Sequence, residues 1–227
     1  MSLENTKAKS RRSPELVEGR RRTVRVRNIK SAMENKHMKI ILGSRSKGRR
    51  RVLEEMGLEF EVMTSNINEK AIRFNDPREL VLALAKAKAE ALKPQISEPA
   101  ILITSDQVVV WQGKIREKPE NEKEVKEFLE GYNAYPAETV TSVVVTNLKT
   151  GKQAAEVDIA KVYFNPFSEE EIKDIIADGQ TFHLAGGFTV DGEKWVSHIK
   201  KIEGTRESVL GLPKDLTSRL IKEVSEW

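Results

Sequence analysis

Five short segments of this chain carry residues able to handle phosphate or water. In Gly43-Ser44-Arg45-Ser46-Lys47-Gly48-Arg49-Arg50-Arg51, small residues precede a helical pattern. Free backbone N–H groups at a helix start, with the positive end of the dipole, favour an anion, and Arg49 or Arg50 can grip phosphate oxygens as a fork. The Gly-Lys-[Ser/Thr] element of a Walker loop is missing, and a solvated basic helix start is the plainer alternative. Ser105-Asp106-Gln107 follows the apolar run Ile101-Leu102-Ile103. A carboxylate just past the end of a buried strand sits where α/β sheets collect ligands, and there it binds a hard cation or takes a proton from water; capping a turn is the alternative. Asn68-Glu69-Lys70 offers a second carboxylate for the same ion. Lys86 and Lys88, two apart on a helical pattern, point in different directions, so at most one faces a site. Glu117-Lys118-Pro119 presents Lys118 ahead of a further helix. Two acids, a few cations and a small-residue loop, all at strand ends, suit Mg²⁺ or Mn²⁺ and a polyphosphate, whose chemistry needs charge neutralisation more than a covalent nucleophile. His37, His183 and His198 lack metal-ligand spacing and read as structural; Trp111, Trp195 and Trp227 read as packing residues.

These segments need elements to position them. The run from Lys39 to Leu42 is a short buried strand, followed by a helix over 47–56 with Val52, Leu53 and Met56 on one face and Gly57 as its stop. A strand is expected over 58–63 and a long helix from Pro77 to about Lys93. A strand over 100–104 runs into the Asp106 segment, and 108–111 continues extended to a Gln112-Gly113 turn. A helix over 122–130 is expected to stop at Gly131, and strands over 138–147 and 154–164 pair as a hairpin around Lys149-Thr150-Gly151. Ser168 and Glu171 form a capping box for a helix over 169–177, a Gly-rich stretch covers 185–192, and a last helix covers 214–223. Strands alternating with helices give an α/β class, and the long hairpin makes the sheet mixed.

The net charge of +4 belongs to one end of the chain. Residues 1–39 hold 12 basic and 4 acidic side chains, whereas 40–227 hold 27 and 31. Residues 1–37 are expected to be a disordered basic extension, with Met33 and Met38 as alternative starts and the folded domain covering 38–227. An acidic body argues against a general nucleic-acid-binding fold. No cysteine is present, which excludes a disulfide scaffold, a thiolate zinc site and a cysteine nucleophile. No run approaches a membrane-spanning length and no secretory signal is evident, so a cytoplasmic location is expected. The Arg- and Ser-rich arm resembles an organellar transit peptide, but Glu4, Glu15, Glu18 and Glu34 speak against one.

From Lys39 onward the sequence resembles the Maf-like nucleotide pyrophosphatases. The resemblance rests on Leu42-Gly43-Ser44-x-Ser46 with Arg49, Asn68-Glu69-Lys70, Leu84-Ala85-Lys86-Ala87-Lys88-Ala89, Ser105-Asp106-Gln107-Val108, Lys118-Pro119, Ala185-Gly186-Gly187-Phe188 and Gly211-Leu212-Pro213, in the family's order. It implies an α/β fold akin to inosine-triphosphate pyrophosphatase: a mixed twisted sheet with flanking helices and two lobes around a cleft, often in a homodimer. It also implies Mg²⁺- or Mn²⁺-dependent hydrolysis of a nucleoside triphosphate to a monophosphate and pyrophosphate. By matching position, Asp106 is the general base and shares the metal with Glu69. Ser44 and Arg49 belong to the phosphate loop, and Lys88 (rather than Lys86) and Lys118 are the lysines. Lys47 and Gly48 depart from the family's Pro-Arg at these places, and that arginine helps define the branch acting on dTTP and UTP, the alternative substrate reading. Gln107 and Asp191 match the branch acting on 7-methyl-GTP. Gly48 fits neither branch. The family's link to septum formation supplies a reading of another class, a nucleotide- or nucleic-acid-binding regulator of cell division.

Overall fold

Along the N-terminal strands the apolar residues alternate in role. Ile40 and Leu42 pack with Ile101 and Ile103 in one buried cluster, while Ile41 and Leu102 pack in another. Period-two alternation sends neighbours to opposite faces of a sheet, so both faces are covered. A computed structural model describes residues 38–225; the extension expected over 1–37, with Met33 and His37, and the terminal Trp227 lie outside the described residues. In chain order the elements are β1 (Lys39–Leu42), α1 (Lys47–Glu55), β2 (Glu61–Val62), α2 (Pro77–Leu92), β3 (Ala100–Trp111), β4 (Lys114–Arg116), α3 (Glu122–Tyr132), β5 (Ala137–Asn147), β6 (Gln153–Phe164), α4 (Glu169–Asp178), α5 (Glu193–Val196), β7 (Ile199–Glu203), α6 (Arg206–Val209) and α7 (Lys214–Ser225).

Seven strands form one mixed sheet in the order β2-β1-β3-β5-β6-β7, with β4 also pairing with β3. β1 is parallel to β2 and β3, and the remaining pairings are antiparallel. The α/β class with a mixed sheet and flanking helices is therefore what the chain adopts. α2 covers one face through Leu80, Val81, Leu84, Ala85, Ala89 and Leu92. On the other face the core divides. Val52, Leu53 and Met56 of α1 join Leu216, Leu220, Ile221 and Val224 of α7 in one cluster, whereas Val125, Leu129 and Tyr132 of α3 join Ile172 and Ile175 of α4 in a second. β3 runs through both, giving Ile101 and Ile103 to the first and Val109 to the second.

The capping box expected at Ser168 and Glu171 forms in full at the start of α4, and Ser46 and Asp76 cap α1 and α2. Three expectations are corrected. The strand over 58–63 shrinks to Glu61–Val62, because the Leu58 amide is used by Leu53 O at the end of α1. Asp106 does not follow a strand end: it lies inside β3, which pairs with β5 continuously from Ile101↔Asn147 to Val110↔Glu138. Gly131 does not stop its helix, which continues to Tyr132. The weakly alternating edge strand β7 and the short β4, α5 and α6 were not evident in the sequence.

Gly131 is a packing residue. Arg116, 5% exposed, lies over the rings of Trp111, Phe128 and Tyr132 at 4.0, 4.5 and 4.9 Å and donates to Phe128 O at 3.0 Å. Trp111 Nε1 donates to Gly131 O at 3.2 Å. A Cβ on residue 131 would come to 2.9 Å from Arg116 Nη2 and 3.0 Å from Trp111 Cζ2. Gly131→Ala is therefore expected to lower stability by about 1–3 kcal/mol in urea titrations, as overpacking does. A gain of about 1 kcal/mol, the ordinary helix-propensity result, would show that the cage does not constrain this position.

Candidate active site

Alternation along β3 decides which side chains meet which helix. Leu102, Thr104, Asp106, Val108 and Val110 face α2, while Ile101, Ile103, Ser105, Gln107 and Val109 face the other way. Two hydroxyls fix α2 against the sheet: Thr104 Oγ1 donates to Ala85 O at 2.8 Å, and Ser142 Oγ, opposite Asp106 in the ladder, donates to Val81 O at 2.7 Å. Side chains on a helix lean towards its N-terminus. In this register Lys88 leans back to Asp106, its Nζ donating to Oδ1 at 2.5 Å, and reaches Glu69 Oε1 at 3.0 Å. Lys88 is 8% and Asp106 7% exposed, whereas Lys86 is exposed. Glu69 opens a short 3-10 turn, Glu69–Ala71, whose carbonyl at Glu69 accepts from Arg73 Nη1 at 3.2 Å.

Beside this triad the sheet is open. On the β1 side, β3 is paired up to Ile103↔Leu42 and resumes with β4 at Val109↔Arg116. Arg49 occupies the interval. Its Nη1 donates to Ser105 O at 2.9 Å and to Ser44 Oγ at 3.0 Å, and its Nε to Gly211 O at 3.1 Å. Ser105 Oγ also donates to Gly211 O, at 2.8 Å. The Gly211-Leu212-Pro213 motif thus supplies the carbonyl that aims the guanidinium, and Ser142 and Thr104 are supporting residues that the sequence did not single out. Ser44 Oγ further accepts from Ser46 N at 3.2 Å, closing the loop before α1.

Burial pushes the Asp106 carboxyl above its ordinary 3.8, outweighing the pull of Lys88 and Arg49. Burial lowers the Arg49 pKa, against the opposing fields of Asp106 and Glu69. The four charges cancel pairwise, leaving two hard carboxylate donors grouped around one ammonium. Such a pair fits Mg²⁺ or Mn²⁺, which accept one or two protein carboxylates and complete their octahedra with water and phosphate oxygens. Among the described residues no group of three or more His, Cys, Asp or Glu is arranged to hold a metal by itself.

The remaining expected residues stand apart from the triad. Gln107 Nε2 donates to Thr141 Oγ1 at 2.6 Å and to Ser208 O at 2.9 Å on α6. Lys118 is exposed on the strap after β4; its neighbour Glu117 accepts from Gly186 N at 2.9 Å and lies 4.0 Å from Arg73, tying that strap to the Gly-rich loop and to the Glu69 segment. Asp191 is held by Arg206, at 2.5 Å from Nη2, and by Arg51 Nη1 at 3.1 Å. These three line an open groove of about 430 Å³ with Val190, Val196, Ile199 and Ile202. Gly48 packs on α6's end: a Cβ there would lie 3.0 Å from Leu210 O. Trp195 is buried near Phe167, and His198 stacks on Phe167 at 4.4 Å.

Residues 39–224 match the model of the Maf-like protein family, and the chain belongs to this family. It is 46% identical over 194 residues to a 7-methyl-GTP pyrophosphatase of Dictyostelium discoideum, covering 82% of this chain and 98% of that one. It is 34% identical to a dTTP/UTP pyrophosphatase of Carboxydothermus hydrogenoformans, covering 84% and 99%. The structure of a HAM1 protein from Coxiella burnetii is similar with a TM-score of 0.43 at 11% identity, covering 83% of this chain and 96% of that one. No helix among the described residues is long and apolar enough to cross a membrane.

Because the folded pKa of Asp106 is raised, folding favours its protonated form. That contribution is fully present below 3.8 and is lost as the pH climbs through the folded value. Asp106→Asn stays neutral and is expected to gain stability relative to the parent protein across that window, read as unfolding midpoints between about pH 4 and 8. A parent protein that gains on the variant as pH rises would reverse the assigned direction.

Proposed function

We propose that the protein is a metal-dependent nucleoside triphosphate pyrophosphatase, releasing a nucleoside monophosphate and pyrophosphate. The observation that carries this reading is the buried carboxylate of Asp106, held by Lys88 beside the Glu69 carboxylate and next to the anchored guanidinium of Arg49. A desolvated carboxylate with a raised pKa is a better proton acceptor than an exposed one. In the proposed reaction Asp106 takes a proton from water as its oxygen bonds to the α-phosphorus. The bond from that phosphorus to the bridging oxygen breaks, and the electron pair leaves with pyrophosphate. Arg49 and Lys88 neutralise the developing charge, and Lys118 closes on the departing end. Asp106 and Glu69 would hold Mg²⁺ or Mn²⁺, which supplies further charge neutralisation and acidifies water when bound.

For the base, the reading leans to 7-methyl-GTP or another modified nucleotide, with dTTP and UTP as the alternative. Gln107 and Asp191 support the lean, as does the name of the Dictyostelium relative. Asp191 is already paired with Arg51 and Arg206, so the lean rests on matching position and on that name, not on a free negative charge.

Purified protein with Mg²⁺ or Mn²⁺ is expected to release pyrophosphate from one or more of dTTP, UTP, CTP, GTP and 7-methyl-GTP. Asp106→Asn is expected to lose roughly 10²–10⁴-fold in kcat with an unchanged circular dichroism spectrum. Orthophosphate as the first product, or full activity in the variant, would overturn the reading.

A further inference from the structure

The two internal cations of the site are held differently. Arg49 is tied to fixed protein oxygens, those of Ser44, Ser105 and Gly211. Lys88 has polar contacts with only two groups among the described residues, the carboxylates of Asp106 and Glu69. Its ammonium is the bridging cation between them, at 2.5 and 3.0 Å, on a flexible four-carbon stem. A divalent ion coordinating the same two oxygens needs oxygens at about 2.0–2.1 Å for Mg²⁺ and repels a neighbouring ammonium. The two cations are therefore alternatives at one position.

We propose that Lys88 is a placeholder for the divalent ion: in the metal-free protein its ammonium neutralises Asp106 and Glu69, and entry of the ion displaces it towards the triphosphate. The inference rests on the two-carboxylate metal reading above and adds an exchange to it. It explains how two acids, one of them buried, are kept together before the ion arrives. It also delivers a lysine to the phosphates only once the ion is in place, so the site becomes competent in one step. Competition lowers the apparent metal affinity of the resting protein, because only the fraction with Lys88 withdrawn can bind.

The probe is Mn²⁺ alone, titrated without nucleotide into the full chain and read by the electron paramagnetic resonance signal of the free ion. Lys88→Met removes the ammonium at similar side-chain length and is expected to bind Mn²⁺ at least about tenfold more tightly while losing turnover, since the competing fraction is gone. Lys88→Arg keeps a competing cation and is expected to show no such tightening. Glu69→Gln is expected to weaken binding in either background, which locates the ion. A second measurement uses the unmodified protein: addition of Mg²⁺ should raise the reductive methylation of Lys88, read by mass spectrometry, as the amine leaves its two carboxylates. Equal or weaker Mn²⁺ binding by folded Lys88→Met, or methylation unchanged by Mg²⁺ in a protein that binds it, overturns the exchange and leaves the metal site standing. Absence of Mn²⁺ binding in every form removes the metal site and the exchange together.

Discussion

The ammonium of Lys88 sits between a carboxylate that the fold buries and one that it leaves at the surface, and much of the molecule is arranged so that this contact can exist. Taking an ionised carboxylate out of water costs several kcal/mol unless a partner and further hydrogen bonds offset it. Asp106 is flanked along its face of the sheet by Leu102 and Thr104 on one side and Val108 and Val110 on the other, so solvent offers little help. The helix that brings the partner is itself placed by two short hydroxyl contacts, from Thr104 and Ser142, to carbonyls one turn apart. A slip of that helix by one residue would rotate Lys88 away by roughly 100°. Packing, register and charge are therefore one problem at this site rather than three.

The second constraint is topological. β1 is four residues long, and where it ends one edge of β3 loses its neighbour until β4 begins. Unpaired strand edges expose backbone groups that seek partners. Here Arg49 takes the Ser105 carbonyl, and the carbonyl of Gly211 steadies the guanidinium. The opening in the sheet is thereby turned into a wall carrying positive charge, beside the carboxylates that hold Lys88.

How much of this could be read from the sequence depends on the range of the interaction. Alternation placed the strands and their buried faces, and a capping box placed the helix start at Ser168, because both are local effects. The residues that meet at the triad were each visible as candidates, since a carboxylate after Ile101-Leu102-Ile103 and a lysine in an Ala-rich helix stand out by type. What was not visible was set by contacts distant in the chain. Asp106 continues a strand because β5 pairs with it, and nothing near residue 106 states that. Gly131 read as a helix stop because glycine usually is one; its task is to leave room for Arg116 and Trp111. The clamp of Arg51 and Arg206 on Asp191 joins three separate segments, so the acid matched by position to the 7-methyl-GTP branch is found with partners of its own.

The close approach of Gly48 to Leu210 has a consequence for how this chain can diverge. The first turn of α1 lies close to the backbone that leads to Gly211, and Gly211 is one of the three residues that hold Arg49. A Cβ at residue 48 would come to 3.0 Å from the Leu210 carbonyl oxygen, so the helix start or that carbonyl would have to yield by a few tenths of an ångström. Because the nearest facing atom belongs to the main chain, room for a larger side chain at residue 48 comes from a small displacement of that backbone and not from trimming the leucine.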